Sequence, residues 1–316
     1  MTVYALHENP EWWPPFEAAF AAEGVPVEQW LLTGDSGEVG LDLDAEPPEG
    51  VFWSRMSASA HTRGHVLAKE QTRAVLSWLE GHGRTVVNGR AVLELEMSKV
   101  AQHAALRAAG VDVPRTTAVV GEHRLVAAAE RFVAAAGGGP FITKHDQGGK
   151  GLGVRRFDDV DELRAAVDAG ELDAPANGIW LLQELLVAAE PVVTRTELVD
   201  GEHVYSVRVS TAQGFELCPA DACALPGQAP LFSLREGYEP PQLDAYRRFL
   251  DATGTTVAGI ESIETVDGRV VTYDVNTNTN YNPDVEAVAP RSGPRAIAAY
   301  LGRLAAAGQG RGSAAA

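Results

Sequence analysis

The chain has 316 residues, room for about two domains of ordinary size, and with 45% hydrophobic and 22% charged residues it is neither disordered, collagen-like nor a coiled coil. Twenty-six Lys and Arg against 43 Asp and Glu leave a formal charge of −17, which repels phosphate backbones and anionic lipid and so argues against a nucleic-acid partner. The two cysteines, Cys218 and Cys223, the start MTVYALHENPEWW with no basic stretch before an apolar core, and the lack of any run near the roughly 20 apolar residues of a membrane helix predict a cytoplasmic protein with no disulfide framework and no membrane partner.

Residues 1–90 alternate strand and helix signals. Thr2–His7 is a short apolar strand, 16–23 carries Phe16, Ala19 and Phe20 at helical spacing, and 25–32 is a second strand closed by Thr33-Gly34. An acidic loop over 34–50 precedes a strand at 51–54, and a helix over 65–79 precedes a strand at 84–87. The alternation predicts a small open parallel sheet. Asn88-Gly89 introduces a helical region with Val100, Ala104 and Ala108 on one face, stopped by Gly110 and Pro114. A strand at 115–120, a helix up to the break at 137–140, a strand at 141–144, the loop GGKGLG over 148–153 and a strand at 179–186 follow. Residues 187–308 are richer in strands, at 192–199, 203–211, 256–266 and 269–276, around helices at 243–253 and 294–305, and 309–316 is expected to be a disordered tail.

Asp267-Gly268 between β-branched runs signals a two-residue hairpin, which sets Val266 opposite Arg269 and, counting outward, Glu261 opposite Asp274. Directly opposed side chains lie about 4.5–5.5 Å apart at Cβ, where two carboxylates repel unless a cation joins them. Asn276 points the same way, and two carboxylates with an amide oxygen form a hard-oxygen set that suits Mg²⁺ carrying phosphates. The competing reading is a solvated face whose charges meet water.

A second hairpin signal, Asp200-Gly201, sets Arg195 opposite Ser206, Val193 opposite Arg208 and Glu197 opposite Val204. Arg195, Glu197, Ser206 and Arg208 then share one face. Two arginines as diagonal neighbours suit carboxylate or phosphate oxygens, with ion pairing through Glu197 as the structural alternative. In GGKGLG, glycines let backbone N–H groups approach an anion, with a plain turn as the alternative. Lys150 is followed by Gly151 rather than Ser or Thr, so the loop is not a Walker P-loop, and its spacing is not that of a dinucleotide fingerprint. His61 and His65 lack a third ligand nearby and do not make a zinc pair.

Taken in order, MSKVAQHAALRAAGVDVPRT, FITKHDQGGKGLGV, LLQELL, the Arg195 and Arg208 hairpin, and AGIESI followed by YDVNTNTN resemble the ATP-grasp superfamily, in particular its RimK-like and glutathione-synthetase-like carboxylate–amine ligases. The resemblance covers about 51–282 and implies a mixed α/β and α+β architecture: an open α/β N-terminal domain (1–90), a small central domain (91–186) and a C-terminal α+β domain (187–308), with ATP between the last two. It implies that Lys99 and Lys144 contact ATP phosphates beneath Gly148, Gly149, Lys150, Gly151 and Gly153. By the same resemblance Gln183, Glu184, Leu185 and Leu186 form a hinge strand that reads adenine through its backbone, and Glu190 holds the ribose. Glu261, Asp274 and Asn276 match the metal triad for two Mg²⁺ ions, with Mn²⁺ as a substitute, and Arg195 and Arg208 match the arginines at the acyl phosphate. The first metal ligand is Glu and the second Asp, the reverse of the commonest pattern, a swap that keeps charge and changes reach.

The implied reaction has a substrate carboxylate attack the γ-phosphoryl group of ATP, giving ADP and an acyl phosphate that an amine converts to an amide. Its partners are a small-molecule or peptide acid and an amine, meaning an amino acid, a small peptide or a peptide side chain; a homodimer is compatible with the sequence. Arg55, Ser57 and Arg63 follow an N-terminal strand, at the edge where open α/β sheets bind ligands, and are the candidates for holding the substrate carboxylate. An ATP-grasp kinase acting on a hydroxyl and a non-catalytic nucleotide-binding module remain the alternatives.

Overall fold

Apolar runs bounded by turns build the first layer. β1 (Thr2–His7), α1 (Pro14–Glu23), β2 (Val27–Leu31), β3 (Gly50–Ser54), α2 (Ala68–Gly81) and β4 (Thr85–Val87) follow one another as the alternation predicts, in a computed structural model that describes all residues except 36–40, 150, 152, 213–229 and 313–316. Lys150, Cys218 and Cys223 therefore lie outside the described residues. The strands form a parallel sheet in the order β2-β1-β3-β4. Its central strands are buried on both faces, which explains their unbroken apolar runs: Val3, Ala5, Val51 and Trp53 enter one core with Phe16 and Phe20 of α1, while Tyr4, Leu6 and Phe52 enter another with Leu76 and Leu79 of α2.

Two helices, α3 (Arg90–Met97) and α4 (Lys99–Ala108), replace the single helical region expected here. Ser98 leaves the helical conformation at φ −142° and ψ 111°, and its side chain accepts from Ala101 N, so it starts a new helix immediately before Lys99. Next come β5 (Thr116–Val120), α5 (Leu125–Ala136), β6 (Phe141–His145), β7 (Arg155–Phe157), α6 (Val160–Asp168) and β8 (Ile179–Glu184). Their strands make an antiparallel sheet, β5-β8-β6-β7, which packs on α5 and α6 through Phe132, Phe141, Phe157, Leu163 and Leu182. The sequence reading had no helix at α6, although Asp159 marks its start by accepting from Glu162 N.

The last sheet is antiparallel and contains β9 (Val192–Val199), β10 (Glu202–Ser210), β11 (Phe232–Leu234), β12 (Val257–Glu264) and β13 (Val270–Asn276) in the order β11-β10-β9-β12-β13, with α7 (Leu243–Thr253) before β12. Tyr246, Phe249 and Leu250 of α7 cover one face through Leu198, Ala258, Ile260 and Val275. α8 (Pro283–Val288) and α9 (Gly293–Gly312) close the chain. β11 and α8 have no counterpart in the sequence reading, and α9 runs beyond the expected stop at 305, so the expected tail is helical as far as Gly312. Ile297 and Leu301 of α9 join the same core as Val3, Val51 and Val193, which ties the first sheet to the last. No helix among the described residues is long and apolar enough to cross a membrane.

Candidate active site

The β12–β13 hairpin brings Glu261 and Asp274 together by a route the sequence did not predict. Its loop has three residues, Val266-Asp267-Gly268, closed by Thr265 N–H donating to Arg269 O at 2.9 Å, with Gly268 at φ +83°. That extra residue sets Ser262 opposite Thr272, one position away from the expected register. A bulge at Tyr273 then inserts one residue into β13 and restores it, so that Glu261 faces Asp274 and Gly259 faces Asn276. The two departures cancel. Tyr273 turns toward Glu261, donating its hydroxyl to Oε2 at 2.9 Å, and Asn276 donates Nδ2 to Oε1 at 3.3 Å.

The β9–β10 hairpin corrects the sequence reading. Asp200 at φ +55° and Gly201 at φ +72° make the expected two-residue turn, and Val199 faces Glu202. Between His203 and Tyr205 the register shifts, leaving Val204 unpaired, and nothing further along cancels it. Arg195 now faces Val207, Glu197 faces Tyr205 and Arg208 faces Thr194. A one-residue slip sends side chains to the opposite face of a sheet. Arg195 lines the cleft with Val193 and Val209, whereas Arg208 points away from it and pairs with the exposed Glu190. The expected Arg195 and Arg208 pair does not form, and Glu190 lies outside the cleft lining.

The cleft itself holds about 370 Å³ between the two antiparallel sheets and the loop after β3. Lys99, Lys144, Gly148, Gly149, Gly151, Gln183, Glu184, Leu185, Leu186, Glu261, Asp274, Asn276 and Ser57 all line it. Asp146 positions the lysines. Its Oδ1 accepts from Ser98 Oγ at 3.0 Å and from Val100 N at 2.8 Å, its Oδ2 from Asn177 Nδ2 at 2.8 Å, and its carbonyl from Lys99 N at 3.2 Å. A carboxylate at the first turn of α4 complements the helix dipole and fastens that helix to the end of β6, which carries Lys144. Beyond it, Gly151 at φ +73° and Gly153 at φ +76° adopt the left-handed conformation that favours glycine, and a Cβ at Gly153 would meet the His145 ring at 2.6 Å.

Opposite charges face each other across this space. Lys99 Nζ donates to Asp274 Oδ1 at 2.9 Å and to Gly148 O at 3.2 Å. Burial works against the Lys99 charge, yet Asp274 outweighs it and raises its pKa. For Lys144 the carboxylates of Asp274, Glu261 and Asp146 compensate only in part: burial first, and the Lys99 charge second, pull it down to about 8. Burial, with Asp274 opposite, pushes Glu261 up, whereas Lys99 and Lys144 overcome the burial of Asp274 and hold it below the usual carboxylate range. Arg195 Nη1 lies 3.8 Å from Glu261 Oε1, and Arg195 Nε lies 2.7 Å from the buried Glu197. Two carboxylates on facing strands beside an amide oxygen suit a hard divalent cation. Among the described residues no three His, Cys, Asp or Glu form such a site, so a cation here would draw on Asn276 and on oxygens of a ligand.

The N-terminal candidates separate. Ser57 lines the cleft and bonds Ser59 Oγ at 2.9 Å. Arg63 is held by Glu8 at 2.5 Å and lies over the Trp12 ring, and Arg55 is buried behind the cleft wall, where its Nη2 donates to Asn280 Oδ1 at 3.0 Å. Glu96 is the main residue sequence reading missed. It accepts from Ala58 N at 3.2 Å, Thr277 N at 2.7 Å and Thr277 Oγ1 at 2.9 Å, joining the loop after β3 to the loop after β13, and burial raises its pKa. Its signal was a carboxylate on the same face of α3 as the buried Val92 and Leu93.

No protein-family model matches the chain, and no curated protein sequence matches it either. Solved structures do. A RimK domain ATP-grasp protein from Sphaerobacter thermophilus is 18% identical, with 96% of this chain and 99% of that one covered and a TM-score of 0.66. D-cycloserine synthetase DcsG is 19% identical over 96% and 99% of the two chains, with a TM-score of 0.66. The ATP-grasp ligase PsnB, solved with a minimal precursor, is 19% identical over 97% and 99%, with a TM-score of 0.64. The fold of this chain, an open parallel sheet followed by two antiparallel sheets that enclose the cleft, is therefore similar to that of the ATP-grasp proteins.

Proposed function

We propose that this protein is an ATP-dependent carboxylate–amine ligase, which phosphorylates a substrate carboxylate and passes the acyl group to an amine, its substrates being an amino acid, a small peptide or a peptide side chain. The observation that carries this reading is the convergence of Lys99 and Lys144 with Glu261, Asp274 and Asn276 in one cleft. Phosphoryl transfer asks for positioning and charge neutralisation and for little covalent chemistry from the protein. In this reading the two lysines hold the ATP phosphates beneath the glycine loop, and the strand end at Gln183, Glu184, Leu185 and Leu186 receives adenine. Glu261, Asp274 and Asn276 would hold Mg²⁺, which when bound supplies neutralisation of the transferring group. Arg195 stands opposite Glu261 in the neighbouring strand, and in this reading it would face the acyl phosphate. A synthetase and an ATP-grasp ligase among the similar folds support amide formation over phosphorylation of an alcohol.

The test is incubation with ATP, Mg²⁺ and an amino-acid panel, with and without hydroxylamine. A hydroxamate formed in step with ADP is the expected result. A phosphorylated alcohol would make the protein a kinase, and MgADP binding without turnover would make it a binding module.

Lys144 adds a pH dependence. Among the protein's own groups its pKa is about 8, and phosphate oxygens beside it would raise that value. Free protein above this pH has lost a proton that the bound state retains, so binding must take one up. MgADP affinity is therefore expected to fall as pH rises through about 8 to 10, with proton uptake on binding near pH 9. Calorimetry in two buffers of different ionisation heat measures it, and identical heats would show that Lys144 does not couple to the nucleotide.

A further inference from the structure

β13, which carries Asp274 and Asn276, is an edge strand, and its open side is bonded by side chains of α3 and α4 in place of another strand. His103 Nε2 donates to Tyr273 O at 3.1 Å, and Glu96 Oε2 accepts from Thr277 N at 2.7 Å. Between them, Gln102 Oε1 accepts from Val275 N at 3.0 Å while its Nε2 donates to Val275 O at 2.8 Å. One amide thus serves both backbone groups of one strand residue, as a neighbouring strand would, because an amide carries donor and acceptor together. The same Nε2 also donates to Leu95 O at 2.9 Å, in the last turn of α3. Gln102 is 1% exposed, and it pins the corner between α3 and α4 to the residue that follows Asp274.

Lys99 begins α4 at that corner, and its Nζ donates to Asp274 Oδ1 at 2.9 Å. Lys99, Gln102 and His103 fall at i, i+3 and i+4, on one buried face of the helix. A lysine in the first turn is opposed by the helix dipole, and its four-carbon stem is flexible, so its place opposite Asp274 has to be imposed by the backbone beneath it. We propose that Gln102 is a positioning residue: by fastening α4 to Val275 it holds Lys99 against Asp274, so that the lysine helix and the strand of metal-ligand candidates form one rigid half of the cleft. The ligase reading supplies what Lys99 does there, and Gln102 deepens it by setting the register between the phosphate lysine and the metal ligands. Gln102 itself lies outside the cleft lining and acts through Lys99. Displacing a charged group by about 1 Å costs about 10²-fold in a reaction that depends on positioning.

Brief acylation of the ligand-free protein with acetic anhydride, read by peptide mass spectrometry, tests the placement without nucleotide. Lys99 is expected to label slowly in the unaltered protein. Gln102→Met, close in length but without the hydrogen bonds, is expected to speed labelling of Lys99 about 10-fold while Lys69 and Lys144 keep their rates. An unchanged rate at Lys99 overturns the proposal. A rise shared by all three lysines also overturns it, because that is the mark of a side chain that only supports the fold. Gln102→Asn keeps the amide but withdraws it by one carbon, and decides the matter if Gln102→Met does not fold: a smaller rise, confined to Lys99, is expected.

MgADP affinity, measured by calorimetry in a double-mutant cycle with Lys99→Met, then ties the placement to the nucleotide. Each single change is expected to weaken binding about 10-fold, and the double variant to bind no more weakly than Lys99→Met alone. Losses that multiply to about 100-fold would mean that Gln102 does not act through Lys99, and would overturn the proposal. Selective labelling of Lys99 in Gln102→Met, with MgADP affinity indifferent to Lys99→Met, would keep Gln102 as the residue that places Lys99 and sink the reading in which Lys99 holds phosphates. Hydroxamate formed by Gln102→Met at the unaltered rate would leave the ligase reading standing and overturn the proposal.

Discussion

Lys144→Met is expected to abolish ATP turnover while raising the melting temperature of the ligand-free protein. On the proposed ligase reading, Lys144 would be a buried cation beside the transferring phosphoryl group, where such a group contributes several kcal/mol to its stabilisation, so a loss of about 10³-fold is expected. Stability rises for the same electrostatic reason. Burial and the Lys99 charge hold the Lys144 pKa at about 8, below the ordinary 10.5, so the folded state binds that proton less tightly than the unfolded chain. At neutral pH the folded protein therefore carries a penalty that methionine, of similar length, removes. The penalty is present in full below about pH 8 and disappears as pH rises toward about 10.5, so the gap between the two melting temperatures should close over that window. A variant that is inactive and also less stable at pH 7 would show that Lys144 is a structural cation.

Asp274→Asn makes the complementary case, because Lys99 and Lys144 both depend on that carboxylate for compensation. The amide keeps an oxygen for Lys99 Nζ but leaves two buried ammonium groups facing one carboxylate, Glu261. Turnover should fall as far as in Lys144→Met, with a lower melting temperature instead of a higher one. Opposite stability signs with equal loss of activity distinguish a charge-balanced site from a fold that has simply been damaged.

Sequence alone revealed the type and order of most elements, because apolar runs, turn residues and helix caps are local signals. The glycine loop was legible for that reason, whereas Lys99 and Lys144 were singled out only by the resemblance, and the fold brings both to the cleft lining. The hairpins show where local reading stops. A turn residue announces the turn, but a bulge such as that at Val204 or Tyr273 answers to packing across the sheet and carries no mark of its own. At β12–β13 a three-residue loop and a bulge offset each other, and the Glu261–Asp274 pairing emerged from a wrong count. At β9–β10 one bulge went unopposed and Arg208 changed faces. Glu96, Asp146 and Thr279 act through partners far along the chain, at Thr277, Asn177 and Glu197, and only the folded topology pairs them.

That unopposed bulge leads to a direct experiment on the two arginines. Arg195 lines the cleft beside Glu261, and Arg208 pairs with an exposed glutamate on the opposite face. Arg208→Ala should therefore change turnover by no more than about threefold, since an exposed ion pair contributes at most about 1 kcal/mol. Arg195→Lys keeps the charge but loses the planar fork that reaches Glu197, Glu261 and Thr279 together, and should lower kcat about 10²- to 10³-fold with a much smaller change in the KM for ATP. Removing the Arg195 charge alone would strand the buried Glu197 carboxylate and cost about 3–5 kcal/mol, confusing instability with catalysis. The double change Arg195→Gln with Glu197→Gln removes both charges together, so a folded double variant with turnover as low as that of Arg195→Lys would assign the loss to chemistry. If Arg208→Ala proves as damaging as Arg195→Lys, the two side chains share a face after all, and the register of β9 against β10 must be the one that the turn alone predicts.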